Sequence, residues 1–216
     1  MKTDVELQAD VSDELFWETR VDPSEIAVYV EHGTVTLRGT VGSLGAKYAA
    51  EKAAQRVDGV RGVEDELEVK LLTEHRRDDA ELRGSVLKAL SLNVFVPSDV
   101  DATVSNGVVT LTGAVDHRHQ RDEAARTTRN LRGVTGIHDE IEVRNPGMVA
   151  DVSERLDKAF KRSAQIDASD VHIDALDGTV TLNGTVKTWA EHDAALDAAW
   201  AAPGVKDVED KLEIGY

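Results

Sequence analysis

The sequence predicts an α+β protein made of three tandem αββαβ modules. Each module is a two-layer sandwich with two helices packed on one face of a three-stranded sheet. Three observations predict this. A nine-residue motif occurs three times, as GTVTLRGTV at 33–41, GVVTLTGAV at 107–115 and GTVTLNGTV at 178–186. A second motif follows each copy after the same interval: GVRGVEDEL at 59–67, GVTGIHDEI at 133–141 and GVKDVEDKL at 204–212. The apolar period changes from helix-like to strand-like at matching places in every copy. Constant spacing with varied sequence marks one structural unit built repeatedly. The modules are placed at 1–74, 75–145 and 146–216.

Each module opens with a helix whose apolar residues recur every fourth position: Leu7, Val11, Leu15; Leu82, Val86, Leu90; Val152, Leu156, Phe160. That spacing makes one stripe on a 3.6-residue helix. In the third copy Asn145-Pro146 supplies a cap and a first-turn proline. Two strands follow, with alternating apolar positions Ile26, Val28, Val30, Val35, Leu37; Val100, Ala102, Val104, Val109, Leu111; Val171, Ile173, Val180, Leu182. His32-Gly33, Asn106-Gly107 and Asp177-Gly178 sit between them. Such pairs suit a type I′ hairpin turn, in which both central residues need positive φ. In the third copy Ala175 takes an inward slot and Leu176 precedes the turn. The opposite strand face is rich in threonine (Thr34, Thr36; Thr110, Thr112; Thr179, Thr181) and reads as open to contacts.

A second helix is predicted near 44–57, 117–131 and 188–201, with the small column Ala50, Ala124, Ala195 set against the sheet. It stops before Gly59, Gly133 and Gly204, as a C′ glycine makes it. The closing strand carries Val63, Leu67, Val69; Ile137, Ile141, Val143; Val208, Leu212, Ile214. Its pairing partner is left open.

The G-x-V-x-L-x-G-x-V hairpin, the alanine-rich helix and G-V-x-x-V-x-x-x-L together resemble the BON domain, three times over nearly the whole chain. The resemblance implies a non-enzymatic binding module that engages phospholipid membranes and belongs to bacterial osmotic or envelope stress. Similar domains also occur in a potassium-sensing protein. The expected function is a non-catalytic binding or scaffold protein whose second-helix surfaces meet a membrane, a protein or an anionic partner. The alternative is an ion sensor for potassium or calcium whose binding orders the modules.

Charge narrows the partners. The net charge is −16, so nucleic-acid phosphates and anionic headgroups repel the chain; no nucleic-acid partner is expected. The three modules carry −8, −1 and −7, so only the middle one offers a docking face for an anion. There is no cysteine, hence no disulfide or thiolate chemistry. No stretch of 18 apolar residues is present. The opening residues lack a basic n-region and an apolar h-region, and the expectation drawn from them is a cytoplasmic protein.

Superposing the copies isolates one outward stripe on the second helix. Leu44 aligns with Arg118 and Trp189; Tyr48 with Asp122 and Asp193; Glu51 with Ala125 and Leu196; Gln55 with Arg129 and Trp200. The stripe is apolar in module 3 (Trp189, Leu196, Trp200), basic in module 2 (Arg118, Arg129, with Arg121 beside them) and mixed in module 1 (Leu44, Tyr48). Trp189, Leu196, Trp200, Leu44 and Tyr48 are therefore the candidate partner- or membrane-binding residues. An exposed indole leaves ~150–250 Å² of surface uncovered, so a cover is expected: another module of the chain, a second copy or another protein, or a phospholipid surface. Arg118, Arg121 and Arg129 read as an anion-facing patch; the alternative is a solvated helix face, with Arg126, Arg129 and Arg132 opposing the dipole in the last turns.

Metal and catalytic readings are weak. On a helix, His117 and His119 point about 200° apart and cannot share a metal there. Glu64-Asp65-Glu66, Asp139-Glu140 and Glu209-Asp210 recur as solvated strand ends, with weak alkali or calcium binding as the sharper reading. GVRG and GVTG match the G-x-x-G of KH domains, but join a helix to a strand. No P-loop, G-x-S-x-G or catalytic triad spacing is found. No catalytic residue, metal or cofactor is expected.

Overall fold

Apolar residues four apart decide where the first helix of each module docks. In α1 (Asp4–Trp17), α3 (Asp79–Leu92) and α5 (Val152–Arg162) the buried residues are Leu7, Val11, Leu15; Leu82, Val86, Leu90; and Val152, Leu156, Phe160. Each such side chain contributes about 1.5–3 kcal/mol by leaving water. Thr3 and Glu6 form a reciprocal capping box at α1, and Asp78 caps α3 by accepting from the Glu81 N–H. The computed structural model describes residues 2–71, 77–144, 152–163, 166, 170–176, 178–202, 205 and 207–215. The Asn145-Pro146 start, Asp177 and Gly204 lie outside the described residues.

The two strands of each hairpin pair antiparallel: β1 (Ile26–Glu31) with β2 (Thr34–Val41), β4 (Asp101–Ser105) with β5 (Val108–Val115), and β7 (Val171–Leu176) with β8 (Thr179–Val186). His32 and Gly33 have φ of 52° and 82°, Asn106 and Gly107 of 52° and 79°, the positive pair a type I′ turn requires. The first helix fastens this turn. In module 1 the Asp4 carboxylate accepts from the N–H groups of His32 (2.9 Å) and Gly33 (3.1 Å). In module 2 Asp79 does the same for Asn106 (2.7 Å) and Gly107 (3.0 Å). The register in module 3 sets Ala175 opposite Val180 and Leu176 opposite Thr179, and leaves Leu176 exposed.

The closing strands are β3 (Gly62–Val69), β6 (Gly136–Val143) and β9 (Asp207–Ile214). The second strand of the hairpin is central in every sheet. β6 and β9 run parallel to it, Val109 opposite Ile137 and Val180 opposite Val208. The parallel return needs a crossover, which the second helix supplies: α2 (Leu44–Gln55), α4 (Arg118–Arg129) and α6 (Trp189–Trp200). Ala50, Ala124 and Ala195 are fully buried in these helices.

The second glycine of the hairpin motif has one steric cause in all three copies. Gly39, Gly113 and Gly184 have φ of 141°, 123° and 131°. A Cβ on any of them would overlap the backbone carbonyl of Glu25, Asp99 or Asp170, where the chain enters the first strand. The architecture is that predicted from the sequence, with six α-helices and three three-stranded mixed sheets among the described residues. By internal contacts the chain forms two compact units, one holding most of modules 1 and 2, the other holding module 3 together with Asp58–Gly62.

Candidate functional site

Within the first unit the outward stripes of two second helices meet. Leu44 is only 6% exposed and belongs to the hydrophobic cluster of module 2, with Leu82, Val86 and Val109, and Val69 packs against that cluster. Arg129 stacks on Tyr48, its Cζ 3.7 Å from the ring centroid. Gly45 lies beside Asn130 and the Arg129 carbonyl. Leu44 and Tyr48 are thus engaged by the neighbouring module, in keeping with the expected intrachain packing. Glu51, half-buried in the same helix, has its carboxyl raised above the ordinary range by burial first and by the Asp65 charge second.

The three arginines of the anion reading do not converge. Arg118 is paired with Asp122 (2.8 Å) one turn on. Arg121 is paired with Asp139 on β6 (2.8 Å) and Arg129 covers Tyr48. In module 3, Trp189, Leu196 and Trp200 are partly buried against their own module's core, around Phe160, Leu182 and Ala199. The Trp189 ring lies 5.0 Å from that of His192.

One column that sequence reasoning passed over links helix to sheet in every copy. Lys47, Arg121 and His192 occupy one position of the second helix and reach Asp65 (3.4 Å), Asp139 (2.8 Å) and Asp210 (2.9 Å) of the closing strand. Each aspartate also accepts from the N–H two residues on, at Leu67, Ile141 and Leu212. Asp65 and Asp139 are half-buried anchors for the helix, which corrects their reading as solvated strand ends; Asp210 pairs with His192 but stays exposed, and Glu64, Glu66, Glu140 and Glu209 face solvent. On the open face Thr36 and Thr181 donate to Glu64 and Glu209, and Arg38 pairs with Glu66 (2.5 Å).

The histidine geometry also needs correcting. His117 is the N-cap of α4 with extended backbone (φ −140°, ψ 144°), so helical directions do not apply to it. Its ring stacks on that of His119, centroids 5.4 Å apart and 16° from parallel. Stacked rings hold their in-plane lone pairs side by side and do not aim them at one ion. Among the described residues no group of three or more His, Asp or Glu is placed to hold a metal.

The large exposed apolar residues lie elsewhere. Phe16 and Trp17, at the end of α1, are bare, Trp17 being 76% exposed, and their rings meet edge to face at 6.1 Å. At the matching end of α3 stand Leu92, Val94 and Phe95, with Val94 90% exposed. The periodic stripe ending at Leu15 or Leu90 leaves no core position for them. Apolar residues out of phase with the stripe were the available sequence signal.

A repeated small αββαβ module with apolar tips and self-paired charges defines a class of binding module. The chain belongs to the BON domain family, whose model matches residues 3–70, 78–145 and 149–216. Osmotically-inducible protein Y of Escherichia coli (strain K12) is 30% identical over 145 residues, 63% of this chain and 72% of that protein. Two solved structures of CdsD, the structural protein of the Type III secretion system of Chlamydia trachomatis, also align. One is 13% identical over the whole of both chains with a TM-score of 0.28. The other is 14% identical over 96% of this chain and 91% of that one, with a TM-score of 0.27. At such scores the likeness carries no argument. The family and the osmotically inducible relative support a stress-related binding protein. They overturn the cytoplasmic expectation, because that relative is a periplasmic protein. The opening residues of a chain say nothing of a leader that export removes.

Proposed function

We propose that the chain is a non-catalytic stress protein that docks on a phospholipid surface through the apolar ends of modules 1 and 2. The single observation that supports this is the placement of Phe16, Trp17, Leu92, Val94 and Phe95, exposed at the same end of two modules. Scattered single apolar residues are normal on a surface, whereas apolar residues clustered at the tip of a module mark contact with an apolar partner. Aromatic side chains with a polar edge favour the bilayer interface. With a net charge of −16, attachment rests on apolar insertion and weakens as the anionic lipid fraction rises.

The chain has three tryptophans, so Trp189→Phe with Trp200→Phe leaves Trp17 as the only indole. Its emission should shift to the blue on vesicles of phosphatidylethanolamine with a minor phosphatidylglycerol fraction. Trp17→Ala with Phe95→Ala should abolish co-flotation. An unchanged emission and no flotation would remove the reading.

A further inference from the structure

In modules 1 and 2 the outer edge of the sheet is closed by a side chain from the first helix. The Gln8 amide of α1 donates to the Val28 carbonyl at 2.8 Å. Arg83 of α3 donates to the Ala102 carbonyl at 2.7 Å and reaches Asp101 at 3.1 Å. Both carbonyls sit at one place in the module, on the residue opposite Leu37 or Leu111 of the central strand. In module 3 that residue is Ile173, opposite Leu182. Gln8 and Arg83 follow Leu7 and Leu82 directly; the residue following Val152 is Ser153. Its side chain is too short for the same reach. Among the described residues nothing donates to the Ile173 carbonyl. An open groove of about 460 Å³ lies there instead, between Ser153, Glu154 and Asp157 of α5 and His172, Ile173 and Asp174 of β7.

We propose that β7 is a pairing edge for β7 of a second copy of this chain, antiparallel about a two-fold axis at Ile173. A bare edge strand is a template for another strand, which native sheets otherwise cover. The charge pattern of this edge fits itself. With Ile173 opposite Ile173, His172 of each copy lies across from Asp174 of the other, two cross-strand pairs of donor and carboxylate. Both side chains are exposed. The Ile173 backbone points away from β8, as the Val28 and Ala102 carbonyls do in their modules. It can therefore exchange both hydrogen bonds with its counterpart, the geometry of a hydrogen-bonded antiparallel pair. The same operation on the other edges sets Tyr29 against Ala27, or Thr103 against Asp101, with the carbonyl already taken. The result is a continuous six-stranded sheet joining two copies through their third modules.

The test is sedimentation of the full chain from roughly 1 µM to roughly 1 mM, the range a small interface occupies. The expected result is a reversible monomer–dimer equilibrium. Ser153→Arg, which restores the closure seen in module 2, should leave only monomer. His172→Glu, which sets like charges across the axis, should do the same. The swap His172→Asp with Asp174→His should dimerise again. His172→Cys with Asp174→Cys should give an oxidised covalent dimer in a chain that otherwise has no cysteine. Monomer throughout the range, or a dimer indifferent to both Ser153→Arg and His172→Glu, would overturn the proposal. Circular dichroism checks that each variant folds; if Ser153→Arg does not, His172→Glu and the charge swap decide.

Discussion

Arg129 and Tyr48 belong to different modules, and the guanidinium of one lies 3.7 Å above the ring centroid of the other. The contact is the polar part of a junction whose apolar part is Leu44 and Val69. A half-covered cation–π pair is worth about 0.5–2 kcal/mol. A double-mutant cycle of Tyr48→Ala and Arg129→Ala in urea unfolding should give a coupling of that size. Arg129→Lys should recover less than half of it, since a lysine cannot stack. Additive single effects would show that the stacking adds nothing to the apolar contacts of Leu44 and Val69.

Gly113→Ala should destabilise the chain by roughly 2 kcal/mol or more, because its Cβ collides with the Asp99 carbonyl and its φ is positive. Gly42→Ala is the control. Nothing lies within 4 Å of its Cβ, and the change should be neutral or stabilising by up to about 1 kcal/mol. Equal losses at both sites would refute the steric account.

Asp79→Ala should cost about 1.5–3 kcal/mol, because two backbone donors of the β4–β5 turn lose a charged acceptor. Amide exchange at Asn106 and Gly107 should quicken more than at Val109 in the strand interior. Asp4→Ala should act likewise on His32 and Gly33. Unaltered exchange at the turn would mean that the clasp does not hold it.

The Glu18 carboxyl is lowered to about 2, first by the hydrogen bond from Arg20, with Arg56 helping. A carboxyl depressed on folding stabilises the folded state above its ordinary value near 4.5 and loses that contribution as pH falls toward about 2. Stability measured from pH 5 to pH 2 should therefore decline, and Glu18→Gln should flatten part of that decline. An identical slope in wild type and variant would exclude Glu18 as a source.

Glu51 has the opposite sign. Burial and Asp65 raise its carboxyl, so the ionised form costs stability at neutral pH. Glu51→Gln should stabilise the first unit at pH 7, and the gain should vanish once the pH falls below the ordinary carboxylate range. A loss of stability at pH 7 would mean that attraction to Lys52, Lys47 and Arg129 outweighs burial.

The order of elements was legible because periodicity reports burial directly: Leu7, Val11, Leu15 and their counterparts lie where the stripe places them. The turn was legible because Asn106-Gly107 needs positive φ. The hidden features depend on residues brought together from separate stretches. Nothing local at Lys47 announces Asp65, and nothing at Asp4 announces His32. The site was read less well. Superposition found the stripe on the second helix and the need for a cover, but not that module 2 covers Leu44 and Tyr48. It also could not see Phe16 or Val94, which stand outside every repeated column.

The central strands read TVTLRGTV, VVTLTGAV and TVTLNGTV, and each waits for a closing strand that arrives only after its crossover helix. While the chain is being made, a finished hairpin presents a template almost indistinguishable from its siblings. A late strand can therefore settle on the wrong neighbour. Synthesis from one end, which completes one sheet before the next begins, lowers that risk. Refolding from a fully unfolded chain forfeits that head start, and cross-matched sheets then become competing dead ends.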